Sequence, residues 1–529
     1  RLYDVMSGMQ FDSYETDKPI FETLTYSMKM VGRFKPMLED TARKPVSFTG
    51  VFLKSFILGK LINRTTPDEK YVGIMIPTSN ACALTVLGLH AYGKVPAMLN
   101  FTSGPKQVIA TCRTVGLKTV VTAKKVVALA KLEHMVEALT EAGIHVAYLE
   151  DLALGLTFKD KLIGVISALF PRRAYLKTSG GQVKPDDEAV ILFTSGSEGF
   201  PKAVFLTHKN LLSNAYQVPA RFDIYPTDVF LNVLPMFHSF GLGAGTILPL
   251  LVGVKTVLYP TPLHYRIIPQ LCASTRATIF FGTDTFLAGY AKCANPYDFN
   301  SLRIVAVGAE KLKEETRKIW SEKFGVRVLE GYGATECSPF ISVNTFLHQK
   351  FGSVGRLLPR LEYELKPVDG ITEGGELWIK GPNIMKGYMR YNKPLELDPP
   401  KDGWYDTGDI VDIDSDGYIF IKGRCKRFAK IGGEMVSLLS VESVITKKWP
   451  DFIHGAVSLP DARKGEQIVL ITTCPDLNKD ALIAAFKTAG VTELGLPSRI
   501  IVVKEAPLLG TGKFDYVSAK EMALKEAGQ

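Results

Sequence analysis

The stretch Ala189–His208, AVILFTSGSEGFPKAVFLTH, is the strongest indication of the fold in this sequence. It begins as an apolar strand, passes through a loop of glycine and hydroxyl side chains, and returns to a second apolar run. Small residues let backbone N–H groups approach phosphate oxygens closely, and a lysine adds positive charge. We therefore predict a phosphate-binding loop whose contributing residues are Thr194, Ser195, Gly196, Ser197, Gly199 and Lys202.

The loop differs from the phosphate loop of kinase-type nucleoside triphosphatases. That loop needs four residues between its first glycine and a Gly-Lys-Ser/Thr sequence. Here Gly196 leads to Pro201-Lys202 instead, so this class of enzyme is disfavoured.

Strand-like and helix-like runs alternate around this loop. Asn80–Gly93 and Pro105–Val115 have helical patterns. Alternation of this kind predicts βαβ units and mostly parallel sheets that are covered on both faces. The strand-like runs are Tyr71–Pro77, Val95–Asn100, Lys118–Thr122, Ala189–Phe193, Val229–Leu234, Thr256–Tyr259, Thr278–Phe281 and Arg303–Val307.

The 529 residues are too many for one simple core, so we expect more than one domain. We predict an α/β fold with a large domain over 1–423, in which stacked α/β layers fill 1–350. The glycine- and proline-punctuated segment 351–423 predicts antiparallel sheet or a small barrel-like subdomain. A small α+β domain follows over 427–529, with a hinge near 424–426.

Composition excludes several classes of protein. The formal net charge of +9 is modest for this length and fits either a solvated surface or attraction to an anionic partner, such as nucleotide, acidic carrier protein or membrane. The seven cysteines are scattered, which predicts a reducing compartment and no disulfide framework or metal cluster. The sequence has no concentrated basic–aromatic patch, so we expect no nucleic-acid partner.

The segment Lys161–Arg173, KLIGVISALFPRR, bears on membranes. Its run Leu162–Phe170 is mostly apolar but too short to span a bilayer. It is compatible with an ordinary buried helix. Alternatively, it enters the lipid headgroup region and places its arginines on lipid phosphate.

Further motifs follow the loop in a fixed order, and together they resemble the adenylate-forming superfamily of acyl-CoA synthetases, luciferases and peptide-synthetase adenylation domains. They are Gly308-Ala309-Glu310, Gly331-Tyr332-Gly333-Ala334-Thr335-Glu336, Trp404–Asp409, Gly423-Arg424-Cys425-Lys426 and Leu509–Lys513. Each alone has a trivial explanation as a turn, cap or solvated lysine. Independent false matches rarely occur in the same order.

The resemblance implies a cofactor set and a role for each motif. ATP and Mg²⁺ are the implied cofactors, with Tyr332 on adenine, Thr335 on the α-phosphate and Glu336 on the metal. Gly308, Ala309 and Glu310 are implied to line the adenine site, with Gly331 and Gly333 close by. Asp409 is implied to bind the ribose hydroxyls, and Arg424 is also implied to bind the nucleotide. Lys513 is implied to be the catalytic lysine.

Two more residues receive roles from the same resemblance. Lys426 is implied to be the hinge about which the small domain rotates between the two half-reactions. His238, in the sequence PMFHSFG, is implied to border and gate the carboxylate site. An isolated histidine among apolar residues is otherwise more often a satisfied core residue than a catalyst.

Phrases such as Pro262–Arg266 and Lys426–Lys430 resemble more closely the synthetase part of bacterial bifunctional 2-acylglycerophosphoethanolamine acyltransferase/acyl-[acyl-carrier-protein] synthetases. This resemblance implies activation of a long-chain fatty acid to acyl-AMP, transfer to acyl carrier protein, and a contribution to lysophospholipid re-acylation. It also implies a peripheral location on the cytoplasmic side of the bacterial inner membrane. The alternatives are a long-chain acyl-CoA synthetase, with CoA as acceptor, and a catalytically silent acyl-binding or membrane-recruitment protein.

Three departures from these family patterns bear on the chemistry. Glu198 stands in the loop where most of the superfamily has threonine, which brings a carboxylate near phosphates. Ala203 replaces the usual glycine after Pro-Lys. No histidine precedes Lys70, so the acyltransferase's histidine–x4–aspartate motif is absent and we expect this chain not to acylate lysophospholipid.

Overall fold

The computed structural model of the protein describes residues 2–194, 201–368, 371, 373–431, 434–461, 464–489, 493–508 and 514–526. The chain forms two compact units. The first unit comprises Arg1–Lys350, Gly355–Leu361 and Lys380–Gly403. The second comprises Phe351–Val354, Glu362–Ile379 and Trp404–Gln529, so most of the β-rich segment groups with the C-terminal residues.

The helices of the first unit are α1 (Leu2–Asp12), α2 (Ile20–Val31), α3 (Phe48–Thr65), α4 (Asn80–Ala91), α5 (Pro105–Val115), α6 (Lys124–Ala130), α7 (Glu133–Glu141), α8 (Leu149–Leu154), α9 (Phe158–Leu169), α10 (Pro171–Thr178), α11 (His208–Gln217), α12 (Leu248–Leu251), α13 (Ile267–Thr275), α14 (Asp284–Cys293) and α15 (Glu314–Phe324). A π-helix, Phe240–Ile247, precedes α12. The second unit contains α16 (Leu438–Lys448), α17 (Lys479–Ala489) and α18 (Tyr516–Glu526).

The strands, in chain order, are β1 (Pro36–Glu39), β2 (Val46–Ser47), β3 (Tyr71–Ile74), β4 (Val95–Met98), β5 (Thr119–Thr122), β6 (His145–Tyr148), β7 (Glu188–Thr194), β8 (Lys202–Thr207), β9 (Val229–Asn232), β10 (Lys255–Leu258), β11 (Ile279–Gly282), β12 (Ile304–Val307), β13 (Val328–Gly333), β14 (Phe340–Val343), β15 (Arg356–Leu357), β16 (Glu362–Lys366), β17 (Gly375–Lys380), β18 (Gly387–Arg390), β19 (Lys393–Asp398), β20 (Tyr405–Ile413), β21 (Ile419–Arg424), β22 (Phe428–Ile431), β23 (Glu434–Ser437), β24 (His454–Asp461), β25 (Gly465–Thr472) and β26 (Arg499–Val502).

Two large sheets organise the first unit. One has the strand order β19-β18-β8-β7-β4-β3-β5-β6, and its strands from β7 to β6 run parallel. The other has the order β15-β14-β13-β12-β11-β9-β10-β1-β2, and its strands from β13 to β1 run parallel. Antiparallel strands occupy the edges. The predicted α/β fold with mostly parallel sheets is therefore confirmed.

Helices α4 and α11 pack deep inside the first unit. Every residue of α4 from Cys82 to Ala91 is buried. Its His90 meets His208, the first residue of α11, with ring centroids 5.2 Å apart. Burial lowers the pKa of His90 to about 4, so this imidazole is neutral at physiological pH. The contact is thus part of an uncharged core.

The second unit contains two sheets. Strands β16-β17-β20-β21 form a four-stranded sheet whose β17–β20 and β20–β21 pairs are antiparallel. Strands β23-β22-β25-β24 form the other sheet, with β26 parallel to β25. Helices α16 and α17 bury apolar residues such as Ile445 and Phe486 in the core of the C-terminal part.

The run Leu162–Phe170 forms most of α9, but its large side chains are not buried. The interpretation as an ordinary buried helix is wrong. The inward face of α9 instead carries Asp160, Gly164, Ser167 and Ala168, which are small or paired. Within the described part of the chain, no helix is both long and apolar enough to cross a bilayer.

Candidate active site

Strands β7 and β8 hold the two ends of the predicted phosphate loop. Thr194, the last residue of β7, pairs with Lys202, the first residue of β8. Both side chains are half-buried. The intervening Ser195, Gly196, Ser197 and Gly199, together with Glu198, lie outside the described residues.

A tyrosine that sequence analysis missed joins this loop to the predicted metal ligand. The Lys202 ammonium lies 5.2 Å from the ring centroid of Tyr388, a cation–π contact. The Tyr388 hydroxyl donates a hydrogen bond of 2.5 Å to Glu336 Oε1. Strand β18 brings Tyr388 here because it pairs with β8 in antiparallel register, with Tyr388 opposite Val204.

Glu336 is rigidly placed. It lies in a single turn of 3₁₀-helix, Thr335–Cys337, which follows β13. Glu336 is only 8% exposed. The Met385 backbone N–H donates to the Glu336 carbonyl at 2.8 Å. The Ser239 hydroxyl donates to Thr335 Oγ1 at 3.3 Å, which links this turn to the segment that carries His238. Tyr388 therefore contacts both a fixed carboxylate, Glu336, and the lysine that begins β8, Lys202.

The ends of β12 and β13 carry the predicted adenine-site residues. A Cβ atom on Gly308 would lie 3.6 Å from the Gly331 carbonyl oxygen, so the two segments are neighbours. Ala309 has a left-handed conformation with φ of 68°. The Glu310 carboxylate accepts hydrogen bonds from the Thr285 N–H and hydroxyl, which anchor it at the start of α14.

Tyr332 and its two glycines continue β13. Tyr332 is 8% exposed and pairs with Ser342. At Gly333, a Cβ atom would stand 2.0 Å from the Pro339 carbonyl oxygen, so only glycine permits this close approach. The motif glycines therefore let β13 and β14 converge next to Glu336.

An apolar aromatic cluster adjoins these strand ends. The Phe240 ring lies 5.8 Å from Phe281 and 5.9 Å from Phe340, and Phe240 begins the glycine-rich π-helix. His238 is half-buried, with its ring 4.7 Å from Phe237. This cluster lies next to the predicted adenine-site segment, since a Cβ atom on Gly308 would stand 3.4 Å from the Phe240 ring.

Two carboxylates of the first unit, Glu188 and Glu330, have shifted pKa values. Burial opposes ionisation of Glu188 on β7, but hydrogen bonds from Lys386 and Lys70 hold its pKa at about 2. Burial raises the pKa of Glu330, the residue before Gly331, to about 7. Glu188 is therefore an ionised partner of both lysines at the end of β7 opposite Thr194, while Glu330 is about half protonated near neutral pH.

The second unit carries the predicted ribose-binding residue. Asp409 on β20 is buried, and Arg424 Nε donates to its Oδ1 at 2.9 Å from the paired position on β21. The Cys425 thiol donates to Glu376 Oε1 at 3.0 Å. Burial, reinforced by Glu376, raises the pKa of Cys425 to about 12, so the thiol stays protonated.

Some of the predicted site residues lie close together, and others lie outside the described residues. The structure brings together Thr194, Lys202, Glu336 and Thr335 on adjoining elements. Lys513 and the side chain of Lys426 lie outside the described residues. Over the described ranges, no three His, Cys, Asp or Glu side chains form a cluster able to hold a metal by themselves.

Comparison with known proteins identifies the family. The profile of the AMP-binding enzymes matches residues 59–389, which include every first-unit site residue described above. The chain belongs to the AMP-binding enzyme family.

Two curated relatives are named as fatty-acid ligases. A long-chain-fatty-acid–CoA ligase of Salmonella typhimurium is 31% identical over 355 residues, which cover 65% of this chain and 62% of that protein. The alignment thus spans about three fifths of that relative's length. A long-chain-fatty-acid–CoA ligase of Haemophilus influenzae is 26% identical over 513 residues, covering 92% of this chain and 85% of that protein.

Solved structures share the fold over nearly the whole chain. The anthranilate CoA ligase AuaEII in complex with anthranoyl-AMP has a TM-score of 0.80 at 20% identity, with 98% of this chain and 100% of that chain covered. The o-succinylbenzoate coenzyme A synthetase of Bacillus subtilis, in complex with ATP and magnesium, has a TM-score of 0.78 at 20% identity, with coverage of 94% and 98%. The predicted adenylate-forming fold is confirmed.

Proposed function

We propose that this protein uses ATP and Mg²⁺ to convert a long-chain fatty acid into an acyl-adenylate and then transfers the acyl group to a thiol. One observation carries the proposal. A buried carboxylate, Glu336, is held by Tyr388 next to Lys202 at the predicted phosphate loop of an AMP-binding family member.

The chemistry that this arrangement supports is neutralisation of charge. A fatty acid is ionised at neutral pH, so its attack on the α-phosphate needs no general base. The barrier comes from repulsion between two anions and from charge on the phosphoryl oxygens. Lys202 supplies positive charge at the loop, and Thr335 and Thr194 offer hydroxyl donors. Mg²⁺, when bound, supplies further charge neutralisation.

Glu336 suits a magnesium site that ATP completes. Mg²⁺ is commonly held by one or two carboxylates together with substrate phosphates. Tyr388 occupies Oε1 of Glu336 as a donor, which leaves Oε2 and the second lone pair of Oε1 for the metal or its water ligands.

The apolar side of the site supports a fatty-acid tail. Phe240, Phe281 and Phe340 form an aromatic wall next to His238 and the π-helix. We propose that His238 borders the carboxylate end of the acyl pocket. The names of the relatives, long-chain-fatty-acid–CoA ligases, support this substrate class.

The thiol acceptor is the finer part of the proposal. The relatives named as CoA ligases support CoA. The acyl carrier protein stays a prediction that rests on the sequence phrases given above, and its acidic surface would suit exposed basic residues such as Arg424 and Lys430. Each acceptor requires the same first step.

We further propose that Asp409 and Arg424 bind the ribose and that Lys513 enters the site for adenylation. Rotation about Lys426 would then remove Lys513 before thioester formation.

A comparison of acceptors tests the proposed function. The purified chain would be incubated with palmitate, ATP and Mg²⁺, and with either CoA or phosphopantetheinylated carrier protein. We expect thioester with at least one acceptor, and the acceptor with the higher kcat/KM is the natural one by this criterion. Formation of palmitoyl-AMP without transfer to either thiol would retain the adenylation step and refute the ligase assignment.

A further inference from the structure

One face of α9 exposes a stripe of large apolar side chains. These side chains recur at helical spacing, so they line one side of the helix from its first residue to its end. They are between 44% and 82% exposed, and they are Phe158, Leu162, Val165, Ile166, Leu169 and Phe170. We call these six residues the α9 stripe.

The opposite face of α9 is fixed to the body of the first unit. Asp160 is buried and forms ion pairs with Lys60 at 2.8 Å and with Arg64 at 2.6 Å, both on α3. A Cβ atom on Gly164 would stand 2.6 Å from the Ile57 side chain. The helix therefore cannot turn about its axis to bury the stripe, because a leucine would have to enter the space that glycine now occupies.

This distribution of residues reverses the usual pattern of a surface helix, in which large apolar side chains face inward. A contiguous exposed surface of six large apolar side chains marks an interaction site. The small and paired residues of the inner face pack closely against α3, so the exposure of the stripe is built into the fold.

Basic side chains flank the stripe. Lys159 and Lys161 on α9 are exposed, as are Arg173 and Lys177 on α10. Arg172 pairs with Glu22 at 2.9 Å and remains half exposed. Between residues 158 and 177 the only acidic residue is Asp160, whose carboxylate is already neutralised by Lys60 and Arg64. The charge that flanks the stripe is therefore positive.

We propose that the α9 stripe docks on the surface of an anionic phospholipid bilayer. A helix with a large apolar face and flanking lysines and arginines lies in the plane of the interface, with its apolar side chains among the upper acyl carbons and its cations at lipid phosphates. A helix of 12 residues is too short to span a bilayer, so this attachment is peripheral. The proposal goes beyond the proposed catalytic function and does not depend on it.

Vesicle binding tests the proposal without any enzymatic assay. The chain would be sedimented with vesicles of phosphatidylcholine alone and with vesicles that contain phosphatidylglycerol. We expect binding to the anionic vesicles and weakening with added salt. The double variant Leu162→Gln/Ile166→Gln should lower the partition coefficient at least about tenfold, since two apolar side chains no longer enter the interface.

Two further variants make the result specific. Arg173→Glu/Lys177→Glu should weaken binding to anionic vesicles while leaving residual binding to neutral vesicles unchanged. Leu347→Gln is the control, because Leu347 is an exposed leucine in the loop between β14 and β15, outside the α9 stripe, and this variant should bind as the wild type does. Circular dichroism of each variant confirms that the fold is retained.

Three outcomes would overturn the proposal. One is equal binding by wild type and Leu162→Gln/Ile166→Gln. Another is absence of binding to anionic vesicles by the folded wild-type chain. The third is a lipid-free dimer, detected by light scattering, that Leu162→Gln/Ile166→Gln converts to monomer, since a second copy of the chain would then cover the stripe.

Discussion

Replacing Tyr388 by phenylalanine removes one hydroxyl from the candidate active site and leaves its other contacts in place. The lost hydrogen bond is 2.5 Å long and is accepted by the carboxylate of Glu336, which is 8% exposed. The phenylalanine ring still faces the Lys202 ammonium, so the cation–π contact is retained. The substitution therefore isolates the positioning of Glu336.

The expected effect follows from the strength of that hydrogen bond. Hydrogen bonds to charged groups contribute about 1.5–3 kcal/mol net, which corresponds to roughly 10- to 150-fold in rate if the bond matters fully in the transition state. We expect Tyr388→Phe to slow fatty-acid-dependent ATP–pyrophosphate exchange by about 10- to 100-fold. The variant should also need more Mg²⁺ for half-maximal rate, because the carboxylate is no longer held in one orientation.

The assay is exchange measured across a range of Mg²⁺ concentrations at saturating ATP. Tyr297→Phe serves as control, because Tyr297 is an exposed tyrosine outside the site, and it should match the wild type. A Tyr388→Phe enzyme that is folded and has unchanged rate and unchanged Mg²⁺ dependence would refute the role that we assign to the Tyr388–Glu336 contact.

Three further predictions concern Lys513, Glu330 and Glu188. Lys513→Ala should abolish acyl-adenylate formation while ATP still binds, as measured by exchange and by calorimetry; exchange near the wild-type rate would show that its role is wrong. The raised pKa of Glu330 means that the folded state holds a proton which the unfolded state has released, so stability declines as pH rises from about 4.5 to about 7. Glu330→Gln should remove that decline and raise the free energy of unfolding at pH 8 by about 1–3 kcal/mol in urea titrations, and a destabilised variant would contradict this. The lowered pKa of Glu188 has the opposite sign: its contribution to stability is fully present above about pH 4.5 and is lost as pH falls towards 2. Lys386→Met should reduce that acid-induced loss in urea titrations, and an unchanged pH dependence would exclude the ion pair as its source.

Local sequence signals predicted much of the fold. The helix predicted over Pro105–Val115 is observed with those bounds, because proline begins it and Gly116, in the left-handed conformation, ends it. The predicted strands are also present, mostly shortened or shifted by one to three residues. The phosphate loop was recognisable because it depends on residue types adjacent in sequence, and the structure places its two ends, Thr194 and Lys202, side by side.

Non-local contacts could not be read from one sequence. Tyr388 and Glu336 are separated by 52 positions and meet only because β18 pairs with β8. Nothing in the residues around Tyr388 marks that pairing. The local sequence, an aromatic residue between glycine and methionine, is compatible with any half-buried strand.

The helix α9 shows a different limit. Its run of large apolar residues predicts burial if those residues alone are considered. The decisive information lies in the intervening small residues, since Gly164 and Ala168 permit close packing on α3 and direct the large side chains outward. Which face of α9 is buried depends on the surface of α3, and the residues of the run itself do not determine that surface.

Exchange of labelled pyrophosphate into ATP by the purified protein tests whether this chain activates a fatty acid as its adenylate. We expect exchange that requires both Mg²⁺ and a long-chain fatty acid and that disappears in Lys513→Ala. Folded protein that binds ATP yet gives no exchange with fatty acids of any chain length would contradict it.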